Sequence, residues 1–293
     1  MALVGGAIFH EWMGHLTFLS PYLIFAMLLI TYCRLELKDL RFSRFHFALL
    51  GFQTILSAIT YFGLLPLGHT VAEGVFICVF IPTATAAPVI TAMLGGSISR
   101  VAGYSLLCNV FVSLTGPVVL AAVGDHSEYT FIHSVGLIMS KVFPLLIAPI
   151  FGALLLKRFC PAFHKTLKNN QSLSFYLWAV ALIIVVGGCV SFVINHWVAN
   201  DFGKMILMTV GALAVCLIQF KVGRKIGGIY GDTVSGGQSL GQKNTVLAVW
   251  LAMVYMTPIA SIAPAAYIAW QNIINSWQIF RKNQKEKHNS HQE

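Results

Sequence analysis

Charge is what this sequence lacks most. Acidic and basic residues make up 10% of its 293 positions, against about a quarter in a typical soluble domain. A chain with 57% hydrophobic residues and 21 phenylalanines cannot clothe a body of this size in polar surface, so its solvent is lipid. Acids are the scarcer sign: 10 Asp and Glu stand against 19 Lys and Arg, a net charge of +9. That excess does not point to nucleic acid, because the basic residues collect in loops on one side of a membrane, as shown below. Paired cysteines are missing too. Cys33, Cys78, Cys108, Cys160, Cys189 and Cys216 form no CxxC motif and mostly lie within apolar runs. This argues against a zinc site or disulfide framework and leaves small membrane-buried residues. A cleavable leader of the usual form is not expected either: no basic stretch precedes the first apolar run, and His10, Glu11 and His15 interrupt it.

What is present is a series of apolar runs near the length of a membrane crossing. A short, weak one covers Ala2–Leu16. Then follow Leu19–Cys33, Phe47–Leu67, Val71–Leu94, Val101–Val123, Phe131–Leu156, Leu173–Ile194, Met205–Phe220, Thr233–Met256 and Ile259–Phe280. They predict an all-α membrane protein of nine to ten transmembrane helices, since isolated strands cannot satisfy their backbone in lipid. The connections are too short to hold a folded domain, so residues 1–280 read as one polytopic transmembrane domain. Residues 281–293 read as a disordered basic cytoplasmic tail.

The basic residues order the runs. Arg34, Lys38, Arg41, Arg44, Arg100, Lys157, Arg158, Lys165, Lys168, Lys221, Arg224, Lys225, Arg281, Lys282, Lys285 and Lys287 fall on one side if the runs alternate, and the opposite loops hold Asp125, Glu128 and Asp201. This asymmetry predicts a multi-pass protein of the plasma (inner) membrane with a cytoplasmic C-terminus; whether the first segment spans stays open. Lys204 lies in an outer loop. Lys141 is placed by where its helix begins, near Phe131 or near Ser140; the reading adopted is a start near Ser140, with the amine at the interface. Trp197 and Trp277 are read as interfacial anchors.

Two runs carry interruptions. The fourth contains Pro82-Thr83-Ala84-Thr85-Ala86-Ala87-Pro88, and the ninth contains Ser235-Gly236-Gly237-Gln238-Ser239-Leu240-Gly241-Gln242-Lys243-Asn244-Thr245. Two prolines disrupt the helical ladder, and unwound backbone at membrane depth must line protein or water. A proline kink in a packed helix and a loop at the membrane surface are the plainer alternatives. The breaks occupy corresponding places, however, in the fourth of five runs in each half. That spacing predicts two five-helix repeats of opposite orientation, about 1–123 and 131–280, with a transporter site where the broken helices cross.

At these residues the chain resembles the bile acid:sodium symporter family. That family's first crossing reads Pro-Gly-Gly-Thr-x-Ser-Asn, matched by Pro82 to Pro88; its second reads Glu-x-Gly-x-Gln-Asn-Ser-x-Leu-Ala, matched by Ser239 to Ala248. Trp270-Gln271-Asn272 is similar to the family's Trp-His-Asn, and Gln53 sits where the family has a glutamine near its ion sites. The resemblance runs from about Leu19 to Ile279. It implies a panel domain beside a core domain in which two broken helices cross, and sodium-coupled uptake of organic anions. The departures fall on the ion ligands. Ala87 and Pro88 replace the family's Ser-Asn, Ser239 its Glu, and Lys243 its Gln, while Ser105 and Gln53 keep oxygen-bearing side chains.

An ammonium therefore stands where metal ligands would be. A lysine near the bilayer midplane costs about 2.5–3.5 kcal/mol and usually faces a cavity with a partner. Glu73 is the one acid within a full-length run, and it lies near that run's outer end. In the resembled family two sodium ions and one Glu leave the core near +1; one lysine and no Glu give the same. If Lys243 stays charged, transport is sodium-independent; if burial neutralises it, its proton becomes the coupling ion; or the amine snorkels to a surface.

The expected substrate and ion site is Lys243, Asn244, Ser239, Gln242 and Thr245 from the second break, Thr83, Thr85 and Pro88 from the first, and Gln53, Ser105 and Asn109 from flanking helices. The expected partners are a small organic anion, the bilayer, and a proton or sodium ion, with no nucleic acid. No cofactor, metal or catalytic set is expected. His10 and His15 are five apart around Gly14, not the four that a zinc-protease helix needs. A sodium symporter with an altered ion site, a channel, and a receptor or scaffold on a transporter fold are the competing functions.

Overall fold

Apolar runs in lipid satisfy their backbone as helices, and helices account for nearly all of the described structure. The computed structural model describes residues 8–34, 42–124, 130–195 and 201–290. The weak run's first residues, Gly5-Gly6, Lys38, Arg41, Asp125, Glu128 and Trp197 lie outside the described residues. The helices are α1 (His10–His15), α2 (Ser20–Arg34), α3 (Arg44–Leu64), α4 (His69–Phe80), α5 (Ala87–Leu94), α6 (Ile98–Val123), α7 (Phe131–Phe159), α8 (Pro161–Asn169), α9 (Gln171–Asn195), α10 (Phe202–Ile229), α11 (Thr233–Gly241), α12 (Thr245–Tyr255) and α13 (Ile262–Ser290). No strand occurs among the described residues; one isolated antiparallel bridge joins Thr83 and Lys243.

Among the described residues six helical stretches are long and apolar enough to cross a membrane: Thr17–Arg34, Arg44–Leu67, Ile98–Val123, Phe131–Phe159, Tyr176–Asn195 and Phe202–Ile229. Their outward faces are apolar. Phe47, Ile55, Ile59 and Phe62 on α3, Ile132, Phe151 and Leu155 on α7, and Ile206, Val210 and Leu217 on α10 are all exposed. Faces of this kind belong in lipid. The chain is an all-helical membrane protein.

The short helices sit inside this shell. α4 and α12, at 12 and 11 residues, are apolar but too short to span alone. Their residues are almost all buried: Val71 to Phe80 in α4, and Thr245 to Val249 with Leu251 and Ala252 in α12. α11 is buried from Ser235 to Gly241. Close approach explains its glycines. A Cβ on Gly236 would overlap the carbonyl oxygen of Gly223 on α10, and one on Gly223 would overlap that of Gly236. The two backbones therefore touch, as small residues permit in membranes.

Three expectations are corrected. The second interruption is narrower than its polar composition indicates: Ser235 to Gly241 is helix, and only Gln242, Lys243 and Asn244 are unwound. The glycines there serve packing, not unwinding. α7 begins at Phe131, not near Ser140, because no proline separates the two and a lone Gly136 does not stop a helix; Lys141 lies within a helix of 29 residues, on its exposed side. Residues 281–290 are not irregular but continue α13. That stretch has neither Pro nor Gly, so a helix already nucleated upstream propagates through it.

Several helix ends converge. The His46 ring bonds the Arg100 carbonyl (3.1 Å), Arg100 donates to the Tyr230 carbonyl (2.8 Å), and Lys282 donates to the Met93 carbonyl (2.9 Å). This brings together one end each of α3, α5, α6 and α10 with the C-terminal part of α13. Asp232 ties two of the connections: its carboxylate accepts from Ser97 N (3.1 Å) and Ser235 N (2.9 Å).

Candidate functional site

The two interruptions meet. Between α4 and α5 the chain is extended at Ile81, with ψ of 150°, and the bridge at Thr83 pairs it with the strand-like turn at Lys243. Ala84 N donates to the Gln242 carbonyl and Asn244 N to the Pro82 carbonyl, both at 2.9 Å. Thr83 Oγ1 donates to the Ser239 carbonyl at 2.6 Å. Residues some 160 positions apart in the chain are thus sewn together by backbone.

Each break frees carbonyls that a continuous helix would have satisfied, and side chains replace the lost donors. Pro82 has no N–H, so the Cys78 carbonyl loses its partner four residues on; Gln219 Nε2 of α10 donates to it at 3.3 Å. Gln53 Nε2 of α3 donates to the Phe80 carbonyl (2.9 Å). Tyr267 OH of α13 donates to the Gly241 carbonyl (2.8 Å) and accepts from Gln219 Nε2 (3.0 Å). Gln271 Oε1, also on α13, accepts from Lys243 N (2.9 Å).

Lys243 is fully buried. Its Nζ donates to Gln53 Oε1 at 2.7 Å and to the Ile81 carbonyl at 3.1 Å. Tyr104 OH of α6 donates to the same Gln53 oxygen at 2.7 Å, and Cys108 Sγ lies 3.2 Å from Gln53 Nε2. The Gln53 amide has one possible orientation here, because an ammonium only donates and a backbone carbonyl only accepts. Among the described residues no carboxylate pairs with Lys243; the ion pairs are His69–Glu73, Arg100–Asp232 and Lys204–Asp201. The counter-charge is dipolar. Ile81 follows the C-terminus of α4, and Lys243 follows that of α11. Each such end carries about half a negative charge.

Of the expected site residues, Lys243, Gln53, Thr83 and Ser239 are joined directly. Gln242 takes part through its carbonyl. Asn244 Oδ1 caps α12 by accepting from Leu247 N (3.3 Å). Thr245 Oγ1 lies 3.5 Å from Gln271 Nε2. Thr85 and Pro88 are half-buried at the entrance to α5. Asn109 Nδ2 donates to the Ser105 carbonyl at 2.7 Å; among the described residues no hydrogen bond joins either to the crossing. α6 instead presents the adjacent stripe, Tyr104 and Cys108. Several buried polar atoms at the site have no protein partner: Ser239 Oγ, Gln242 Oε1 and Asn244 Nδ2.

Tyr104, Gln219, Tyr267 and Gln271 hold the crossing together, yet none is an expected ligand. The signal for Gln219 is an amide alone in an apolar stretch of α10, a polar group that needs a buried partner; Gln271 has Asn272 beside it and does not stand out in this way. Nothing local singles out the tyrosines. No protein-family model and no curated protein matches the chain.

Proposed function

We propose that this chain is a sodium-independent secondary transporter of a small organic anion, with the Lys243 ammonium as its built-in cation. The observation that carries the reading is Lys243 itself: fully buried, bonded to Ile81 O and Gln53 Oε1, where two interrupted helices meet. A broken helix from each half of a membrane chain is the usual construction of a transporter site. The charges agree in magnitude. Two half-helix C-termini sum to about one negative charge, and one ammonium offsets it. The N-termini of α5 and α12 are then left with about one positive charge between them, which favours an anion. The unpartnered atoms of Ser239, Gln242 and Asn244 are the kind of buried polar group that a ligand or water completes.

On this reading the fold is that of the bile acid:sodium symporters. Nine or ten crossings form two inverted repeats, and a core moves against a panel by alternating access. The basic helix ends lie in the cytoplasm, and the membrane is the plasma (inner) membrane. Lys243 substitutes for the sodium ions of that family, whose ligands are Ala87, Pro88 and Ser239 in this chain. Two of the three amine N–H groups are used by protein; the third is available to a bound carboxylate or water in a state that opens the site.

The test is thermal unfolding of purified protein across a panel of organic acids, in sodium and in choline buffer. An acid at a hundred times its Kd adds about 2.7 kcal/mol, a rise of about 5 °C at roughly 2 °C per kcal/mol. The proposal expects the same rise in both buffers. Stabilisation that appears only with sodium would overturn the built-in cation, and a panel with no stabilising acid would count against the anion site.

A further inference from the structure

We propose that a basic pocket away from the crossing binds the headgroup of an acidic phospholipid. A cavity of about 780 Å³ opens between α5, α10, α11 and α13. Lys221, Arg224, Arg281 and Lys282 line it, and none of the lining residues is acidic. Three of the four touch neutral groups: Arg224 Nη1 donates to Gln278 Oε1 (3.0 Å), Arg281 lies 4.9 Å from the centre of the Trp277 ring, and Lys282 Nζ donates to the Met93 carbonyl (2.9 Å). Gathering this much like charge is unfavourable unless an anion fills the space.

The rest of the lining says which anion. Leu217, Ile273 and Trp277 also border the cavity and are 51%, 58% and 54% exposed. Leu217 belongs to the outward, lipid-facing surface of α10. The pocket therefore joins a polybasic end to an apolar wall, with a tryptophan between them as in interfacial belts. An occupant with a phosphate head and acyl tails satisfies both halves; a soluble anion satisfies one. Basic pockets between membrane helices take acidic lipid heads in this way. The position has a consequence for the fold. Leu94, the last residue of α5, and Val234, in the first turn of α11, both border the cavity. The lipid would brace the outer ends of both half-helices whose inner ends form the crossing. The inference needs the membrane but not the transport activity.

The experiment compares full-length protein in micelles doped with phosphatidylglycerol or phosphatidylcholine, read by unfolding temperature and by lipid retained in native mass spectrometry. The variants are Lys221→Gln/Arg281→Gln, both exposed positions, and Lys141→Gln, exposed and absent from the pocket lining. Arg224 is left intact because its stem packs on Gly237. Wild type and Lys141→Gln should retain phosphatidylglycerol and gain several degrees over phosphatidylcholine; the double variant should lose most of both. Glycerol phosphate or inorganic phosphate should do nothing at millimolar concentration. Equal effects of the two lipids, or full retention by the double variant, would overturn the site. Stabilisation by free phosphate equal to that by lipid would overturn the lipid assignment. If the double variant does not fold, Lys221→Gln alone must still lower retention, and unchanged retention refutes the proposal.

Discussion

Replacing Lys243 with methionine isolates what the buried amine contributes, provided it is done as a cycle with Gln53→Leu. The single substitution is a poor test, because two effects of similar size oppose each other. Methionine removes the cost of placing an ammonium at depth, about 2.5–3.5 kcal/mol. It also strips a charge-assisted bond from Gln53 Oε1 and leaves the Ile81 carbonyl short of a donor. Such bonds contribute about 1.5–3 kcal/mol, and an orphaned buried acceptor costs about 1–3 kcal/mol. Gln53 Oε1 keeps Tyr104 and Ile81 O keeps a long contact of 3.4 Å to Gln53 Nε2, so the lower ends apply. The net change for Lys243→Met is therefore small, between zero and about 1 kcal/mol of stabilisation. The coupling between the two positions does not suffer this cancellation. For a bond of 2.7 Å between an ammonium and an amide oxygen, it should be about 1.5–3 kcal/mol. At roughly 2 °C per kcal/mol, the unfolding temperatures of the four proteins should depart from additivity by about 3–6 °C. Tryptophan fluorescence during heating in detergent reads this directly. Additivity within about 0.5 kcal/mol would mean that the amine does not rest on Gln53, and the charge argument for the site would fall with it.

Other substitutions probe the frame of the crossing. Thr83→Val keeps the shape but removes the hydroxyl on the Ser239 carbonyl; a loss of about 1–2 kcal/mol is expected, recovered by Thr83→Ser, with unfolding temperature as the readout. Gly236→Ala should abolish folded expression, since its Cβ would collide with backbone on α10, whereas Gly51→Ala meets nothing within 4 Å and should gain up to about 1 kcal/mol from helix propensity; size-exclusion profiles after extraction separate the two. Asp232→Ala removes the cap of α11 and its tie to Ser97 N, a loss of about 1–2 kcal/mol that should leave Lys221→Gln unaffected in its lipid phenotype.

The breaks were legible in the sequence because proline and unpaired polar backbone have few places to go in lipid. Their partners were not. Cys78, Phe80, Ile81, Ser239 and Gly241 all contribute carbonyl oxygens, and a carbonyl leaves no mark in a sequence. Lys243 was legible as a polar residue in apolar surroundings and Gln53 through the family resemblance, and the two do meet. Asn109 stood out by its polarity and Ser105 through the family resemblance, yet Asn109 Nδ2 bonds the Ser105 carbonyl along α6, so neither signal alone separates a residue of the crossing from a local pair. Glycine misled in another way. At Gly236 and Gly237 it permits contact between two helix backbones, and the same composition reads equally well as a loop. Charge within a helix reads in a sequence like its end, which is why the start of α7 and the length of α13 differ from the expectation. Lys141 is instead carried on the exposed side of α7, and residues 281–290 prolong α13.

The central claim is that an ammonium has replaced metal ions at a transport site. The most direct measurement is uptake into sodium-free proteoliposomes of an acid that stabilises the protein, by wild type and by Lys243→Gln, with and without a pH gradient. Wild type should accumulate or exchange the acid without sodium, and Lys243→Gln should fall to the level of empty liposomes. Uptake by wild type only when sodium is added, or equal sodium-free uptake by both proteins, would contradict the account.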